Sequence, residues 1–260
     1  MKINDVINII EKDHPQTLSD DYCRETGCAD NYGLMVGDRN DEFKKMIVTL
    51  DLTYEAIDYA IKQKANLIFT HHPIVFSPLY HVNTDSVTEN LIIKCIKNGI
   101  NVYASHLTQD LSNPGTNYSL MNELGLSNPT PYEYDRMGLV CEYGKTLKEL
   151  VKEVKEKLHC NHIRYVGSDN KLVKKVLIIG GSCTSTCVLA LQDLNNSIDA
   201  IITGEVKYHT ALEMSEKDIG LIELTHQTSE EYFGKYVAQE LKEKGLDAEE
   251  YFSKRIYKTI

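Results

Sequence analysis

Three short apolar runs, each leading into a helical pattern or a polar strand end, constrain this chain more than any other feature. KMIVTLDLT (45–53), ANLIFTHHP (65–73) and NVYASH (101–106) are continuously apolar rather than alternating. A strand that is apolar on both faces must be covered on both, which argues for parallel pairing with helices over the sheet. The segments between them supply those helices. YEAIDYAIKQK (54–64) places Ile57, Ala60 and Ile61 on one face, and TENLIIKCIKNGI (88–100) is closed by Gly99. Residues 2–12 read as an amphipathic helix, followed by a polar loop containing CADNYGLMVGD.

After LGLSNPTPYE the pattern restarts. GLVCEYG is strand-like, and TLKELVKEVKEKLH (146–159) is an amphipathic helix opened by a capping box, Thr146 with Glu149. KKVLIIGGSCTSTCVLALQ reads as strand, Gly-rich turn and helix, DAIITGEVKYHTALEMSEK as strand, turn and helix, and GLIELTHQTSEEYFGKYVAQELKEKG as strand then helix. The predicted architecture is α/β, with two α/β lobes of mostly parallel sheet flanked by helices. The proline-bearing stretch 127–131 marks the boundary, giving one lobe from 1–128 plus 221–260 and a second from 129–220.

Composition narrows the function classes. A net charge of −10 with no basic stripe argues against a general nucleic-acid binder, and the spread of 16 tyrosines forms no stacking ladder. The N-terminal apolar stretch is too short and too charged for a signal peptide, and no segment approaches the roughly 18 apolar residues of a membrane span. The expectation is a cytoplasmic protein. Its 7 cysteines contain no C-x-x-C pair and read as free thiols; neither Cys23/Cys28 nor Cys183/Cys187 has the matching second half of a zinc site.

Polar groups at the carboxyl ends of strands are where such folds carry chemistry. His71 and His72 end one strand and are followed by Pro73, which stops the ladder and lets the rings splay toward different positions. Neutral imidazole is a ligand for borderline transition metals, so the pair suggests one histidine for each of two ions; a polar pair at a strand edge is the plainer reading. His226 and Glu230 are spaced i, i+4, on one face if helical geometry starts there, although such spacing also arises by chance. Asp110, four residues after His106, could bridge two cations. His106 fits as a ligand, an orienting residue or a satisfied polar group, with the orienting role favoured. The turn GGSCTSTC (180–187) could hold a phosphate on its backbone N–H groups, or be a tight turn with no ligand; it is no Walker motif. His14, His81, His159 and His162 read as surface or loop residues.

NYGLMVGD (31–38), LDLT (50–53), ANLIFTHHPIVFSPL (65–79), His106-x₃-Asp110, IIGGS (178–182), DAIITGE (199–205) and His226-x₃-Glu230 occur in one order over nearly the whole chain. Together they resemble the Nif3-like dinuclear metal-centre family, often called GTP cyclohydrolase 1 type 2 homologues. The resemblance implies a toroidal homohexamer in the short form, without an inserted domain, and two divalent ions per subunit (zinc, iron or manganese). Carried over, the family's ligands fall on His71, His72, Asp110, His226 and Glu230. Two departures stand out: HLTQD replaces the usual H-T-N-x-D, and Cys183 stands where glycine is usual. The expected function is a metal-dependent hydrolase of a nucleotide or phosphoester-type small molecule, with Glu205 or His106 as proton shuttle. The rival expectation is a non-catalytic metal-binding scaffold, or a protein that stores or delivers metal.

Overall fold

The computed structural model describes residues 1–183, 185–193, 195 and 197–258. In chain order, α1 (Ile3–Asp13) and α2 (Thr17–Thr26) precede β1 (Gly33–Val36) and β2 (Met46–Thr49). Next come α3 (Tyr54–Lys62), β3 (Leu67–Thr70), α4 (Val87–Lys97), β4 (Asn101–Ala104) and the short α5 (Leu107–Leu111). They are followed by α6 (Thr116–Leu124), β5 (Ser127–Pro131), β6 (Leu139–Thr146), α7 (Leu147–Lys157), β7 (Arg164–Val166) and β8 (Leu172–Ser182). Then come α8 (Ser185–Gln192), β9 (Ala200–Glu205), α9 (Tyr208–Glu216) and β10 (Gly220–Glu223). The last elements are α10 (His226–Glu230), α11 (Phe233–Glu243) and β11 (Ala248–Glu250).

The chain forms two compact units, Met1–Gly115 with Phe233–Ser253, and Thr116–Tyr232 with Lys254–Ile260. The first is built on a five-stranded sheet in the order β1-β4-β3-β2-β11. β4, β3, β2 and β11 run parallel, and β1 lies antiparallel to β4 at the edge. The continuous apolar strands are explained by burial on both faces. Met46, Val48, Leu67, Phe69 and Tyr103 pack with Ile3, Val6, Ile7 and Ile10 of α1 and with Phe233, Val237 and Leu241 of α11. Their neighbours Ile47, Ile68 and Val102 point the other way, packing with Ile57 and Ala60 of α3 and with Leu91, Ile92 and Cys95 of α4. Thr53 and Ser86 cap those two helices by accepting from the backbone N–H of Ala56 and Glu89.

The second unit carries a six-stranded sheet, β5-β6-β8-β9-β10-β7. β8, β9 and β10 run parallel, whereas β5, β6 and β7 join antiparallel, so this sheet is mixed rather than mostly parallel. The capping box at Thr146 and Glu149 opens α7, whose Leu147, Leu150 and Val154 are buried.

Several local readings differ from the sequence. The segment read as a polar loop holds α2 and the edge strand β1. Ile61 is 40% exposed although Ile57 and Ala60 are fully buried. The proline-bearing stretch is not a linker but β5, an edge strand, where a missing N–H costs no ladder bond. The unit limits fall after Gly115 and Tyr232, because β10 and α10 belong with the second sheet. Cys183 and Cys187 form a disulfide rather than two free thiols, their Cα atoms 5.5 Å apart across the turn into α8. His14 is fully buried, its Nε2 2.8 Å from Glu240 Oε2, rather than on the surface. Among the described residues, no helix is long and apolar enough to cross a membrane.

Candidate metal centre

In the first unit, three parallel strands deliver their carboxyl ends to one place. Backbone pairing continues one or two residues past the strands: His71 N–H donates to Thr49 O (3.2 Å), His72 N–H to Leu50 O (3.1 Å) and Ser105 N–H to Thr70 O (3.1 Å). Thr70 Oγ1 also donates to His72 O at 2.8 Å. The histidines after β3 therefore sit on a fixed backbone. His71 is fully buried; its ring centroid lies 4.8 Å from that of His72 and 5.1 Å from that of His106. One ring nitrogen from each of His71, His72 and His106 falls within 4.8 Å of the other two. Asp110, on α5, brings Oδ1 to 3.6 Å from His71 Nε2.

Two carboxylates that the sequence reading passed over orient these rings. Asp51 Oδ1 lies 2.8 Å from His72 Nδ1, and Asp30 Oδ1 lies 2.8 Å from His106 Nδ1. Each partner engages Nδ1 and so orients its ring, which makes Nε2 the candidate ligand atom. Asp30 is itself held by Ser19 Oγ (2.6 Å) and Leu107 N–H (3.3 Å). Burial works against its ionisation, but the hydrogen bonds from His106 and Ser19 prevail and hold its carboxyl below the usual range. For His106, burial opposes the charged ring, and Asp30 and Asp110 outweigh it, raising the pKa. Asp51 had a signal, its place two residues beyond β2 in LDLT. Asp30 had none, since 76 residues separate it from His106.

In the second unit, α10 begins at His226, as the i, i+4 reading requires. Thr225 caps it by accepting from Thr228 N–H at 3.2 Å. His226 Nε2 lies 3.2 Å from Glu230 Oε2, and the Glu230 side chain is 5% exposed. Glu205, at the end of β9, has Oε2 3.4 Å from His226 Nδ1, so it faces the ring's other nitrogen.

The glycines explain how α10 reaches its place. A Cβ on Gly181 would stand 2.4 Å from Glu230 Oε1 and 3.3 Å from His226 Nε2. One on Gly204 would stand 2.5 Å from Gly181 O and 2.6 Å from Ser229 Oγ. Gly181 N–H donates to Ser229 Oγ (2.9 Å), and Gly180 N–H to Asn117 Oδ1 (2.7 Å). Those two N–H groups are thus committed to protein partners, and the glycines, read from the sequence as a turn, lie instead at the end of β8, where its register against β9 shifts and makes space for His226 and Glu230. Of the stretch read as a Gly-rich turn (180–187), Thr184 lies outside the described residues.

The donor sets fit a divalent transition metal. In the first unit His72 and His106 have carboxylates behind their rings and His71 faces Asp110; in the second, His226 lies between Glu205 and Glu230. The space beside Glu230 exists only because residue 181 has no side chain.

The family model of Duf34/NIF3 (NGG1p interacting factor 3) matches residues 1–258. A relative from Clostridium acetobutylicum, called GTP cyclohydrolase 1 type 2 homolog, is 34% identical over 235 residues, covering 87% of this chain and 84% of its own. The protein of the same name from Clostridium perfringens is 34% identical over 238 residues, covering 88% and 87%. Among solved structures, a hypothetical protein from Staphylococcus aureus superposes with a TM-score of 0.88 at 24% identity, covering 100% of this chain and 99% of the other, a likeness of fold. With its fold matched end to end and its sequence matched from residue 1 to 258, the chain belongs to the Duf34/NIF3 family.

Proposed function

We propose that this protein is a metal-dependent hydrolase that binds two divalent cations through His71, His72, Asp110, His226 and Glu230. The observation that carries the reading is the pairing of His72 Nδ1 with Asp51 and of His106 Nδ1 with Asp30, both at 2.8 Å. A histidine with a merely structural role needs no carboxylate to hold its Nδ1, and here two neighbouring rings each have one. Held by these residues, two such cations would supply a bound water of lowered pKa and polarisation of the group under attack. The protein's own contribution is orientation: Asp51 sets the His72 ring, Asp30 sets His106, and Glu205 faces His226. Glu205 is also exposed and so can exchange a proton with solvent, the shuttle role assigned to it here.

The substrate class in this reading is a nucleotide or a phosphoester. Support comes from relatives called GTP cyclohydrolase 1 type 2 homolog and from the hydrolytic chemistry such ions provide. The toroidal homohexamer and a cytoplasmic location belong to the same proposal.

Protein loaded with zinc, manganese or iron, assayed against GTP and a panel of phosphoesters, tests the reading. Metal-dependent turnover is expected, and its absence on every compound would sink the hydrolase. If chelation also dissociated the assembly, the metal-bound scaffold would replace it. Glu230→Ala should lose most bound metal by elemental analysis while keeping the wild-type circular dichroism spectrum. Full occupancy in that variant removes Glu230 from the ligand set.

A further inference from the structure

Away from the histidines, the described side chains hold a second reactive pair. Besides the Cys183–Cys187 disulfide, the free cysteines are Cys23, Cys28, Cys95, Cys141 and Cys160. The last three are buried, Cys23 is half-buried and Cys28 is exposed. Cys23 and Cys28 bring their Sγ atoms to 2.9 Å, within about 1 Å of a disulfide bond length. The local fold produces this approach. α2 ends at Thr26, and Gly27 takes a left-handed φ of 73°, which turns Cys28 back over Cys23 one turn earlier. Thr26 Oγ1 donates to Tyr22 O at 2.8 Å and accepts from Cys28 N–H at 3.4 Å, which holds the turn.

The segment leaving this turn carries Asp30. Ser19, four residues before Cys23 on α2, donates its Oγ to Asp30 Oδ2 at 2.6 Å, and Asp30 Oδ1 meets His106 Nδ1. A bond between Cys23 and Cys28 would be a second fastening of that segment to the same helix. We propose that Cys23 and Cys28 are a reversible thiol–disulfide site that reacts with low-molecular-weight disulfides and fastens the Asp30 segment to α2. The proposal is independent of the metal reading.

The reaction balances in two exchanges. Cys28, the exposed thiol, loses its proton and its thiolate attacks one sulfur of the small disulfide. That S–S bond breaks, one small thiolate leaves and takes up the proton, and a mixed disulfide forms on Cys28. Cys23 then gives up its proton and attacks Cys28 Sγ, expelling the second small thiol. Two protein thiols lose two electrons, and the small disulfide gains them. The order of attack follows exposure, and burial together with the hydrogen bond to Cys28 pushes the Cys23 thiol up to about 12, which keeps it protonated until the second step.

The full-length protein, without prior reduction, would be incubated with glutathione disulfide, alkylated and mapped by peptide mass. The expected product joins Cys23 to Cys28 with loss of two hydrogens, and excess glutathione reverses it. Cys23→Ser should stop at glutathione on Cys28. Wild-type protein that accumulates glutathione on Cys28 with Cys23 still open to alkylation would overturn the site, as would no reaction at either residue. Hydrogen exchange reads the fastening: amides of residues 28–32 should slow several-fold in the oxidised wild type and not in oxidant-treated Cys23→Ser. Equal exchange in the two would overturn it.

Discussion

At the level of single residues, the carboxylates behind the histidines matter as much as the histidines. Replacing Asp51 by Asn keeps the size of the side chain but removes the charge that orients the His72 ring. Metal affinity, measured by competition with a chromophoric chelator, should fall about 10- to 100-fold, the usual effect of losing an orienting partner. An unchanged affinity would mean that His72 is not a ligand. His14 shows a different use of the same chemistry. It is fully buried and serves the core through Glu240. Burial alone would raise the Glu240 carboxyl, but hydrogen bonds from His14 and Lys244 outweigh it and hold the carboxyl below its usual range. A carboxyl whose pKa is lower in the folded chain contributes stability above its unfolded value, about 4.3, and loses it as pH falls through the folded value. Glu240→Gln should therefore lower the unfolding free energy on the order of 1–3 kcal/mol at neutral pH. In urea titrations the gap to wild type should close below about pH 4. A gap that persisted at acid pH would show packing, not charge, to be the cause.

Among the elements, strands proved more legible than the pieces between them. β2, β3 and β4 were readable because both of their faces are buried, which leaves an unbroken apolar run. β1 was not, since as an edge strand it is only half buried and its composition resembles a loop. α10 could be placed from His226 and Glu230 together, but not its separation from α11, because the segment read as one strand followed by one helix. Gly180 and Gly181 read as a turn because glycine marks turns, yet they end strand β8 at a register shift, and their purpose depends on side chains about 50 residues away. Gly181 has a φ of 61°, and its missing Cβ is the space taken by Glu230. Gly181→Ala should cost about 1–3 kcal/mol through strain and overpacking. It should also weaken metal binding, because the Glu230 carboxylate must move. Thermal melts and chelator competition read the two effects separately, and wild-type values in both would show that position 181 tolerates a side chain.

For the whole molecule, the class of fold was legible, as were the strand ends and the helix start on which the candidate residues sit, because these are local signals. The sequence did not carry the composition of the second sheet, where β6 and β7 pair antiparallel with the two edges of a parallel core and β5 pairs antiparallel with β6. Nor could it place residues 221–232, whose apolar strand fits either sheet by pattern alone and is fixed by the register of β10 against β9. This organisation bears on how metal should affect stability. An ion that binds only the folded chain stabilises it by mass action, by about 2.7 kcal/mol at a free concentration 100 times the dissociation constant. For a chain of this size that corresponds to a rise of roughly 5–10 °C in Tm. Calorimetric scans of chelated protein and of protein in excess zinc should show that rise, and Glu230→Ala should show little of it. With two cores to melt, the scan can contain two transitions, so each is compared with its own metal-free counterpart. If neither transition moved with metal in the wild-type protein, the ions would not bind the folded chain in preference to the unfolded one, and the metal reading would fail with them.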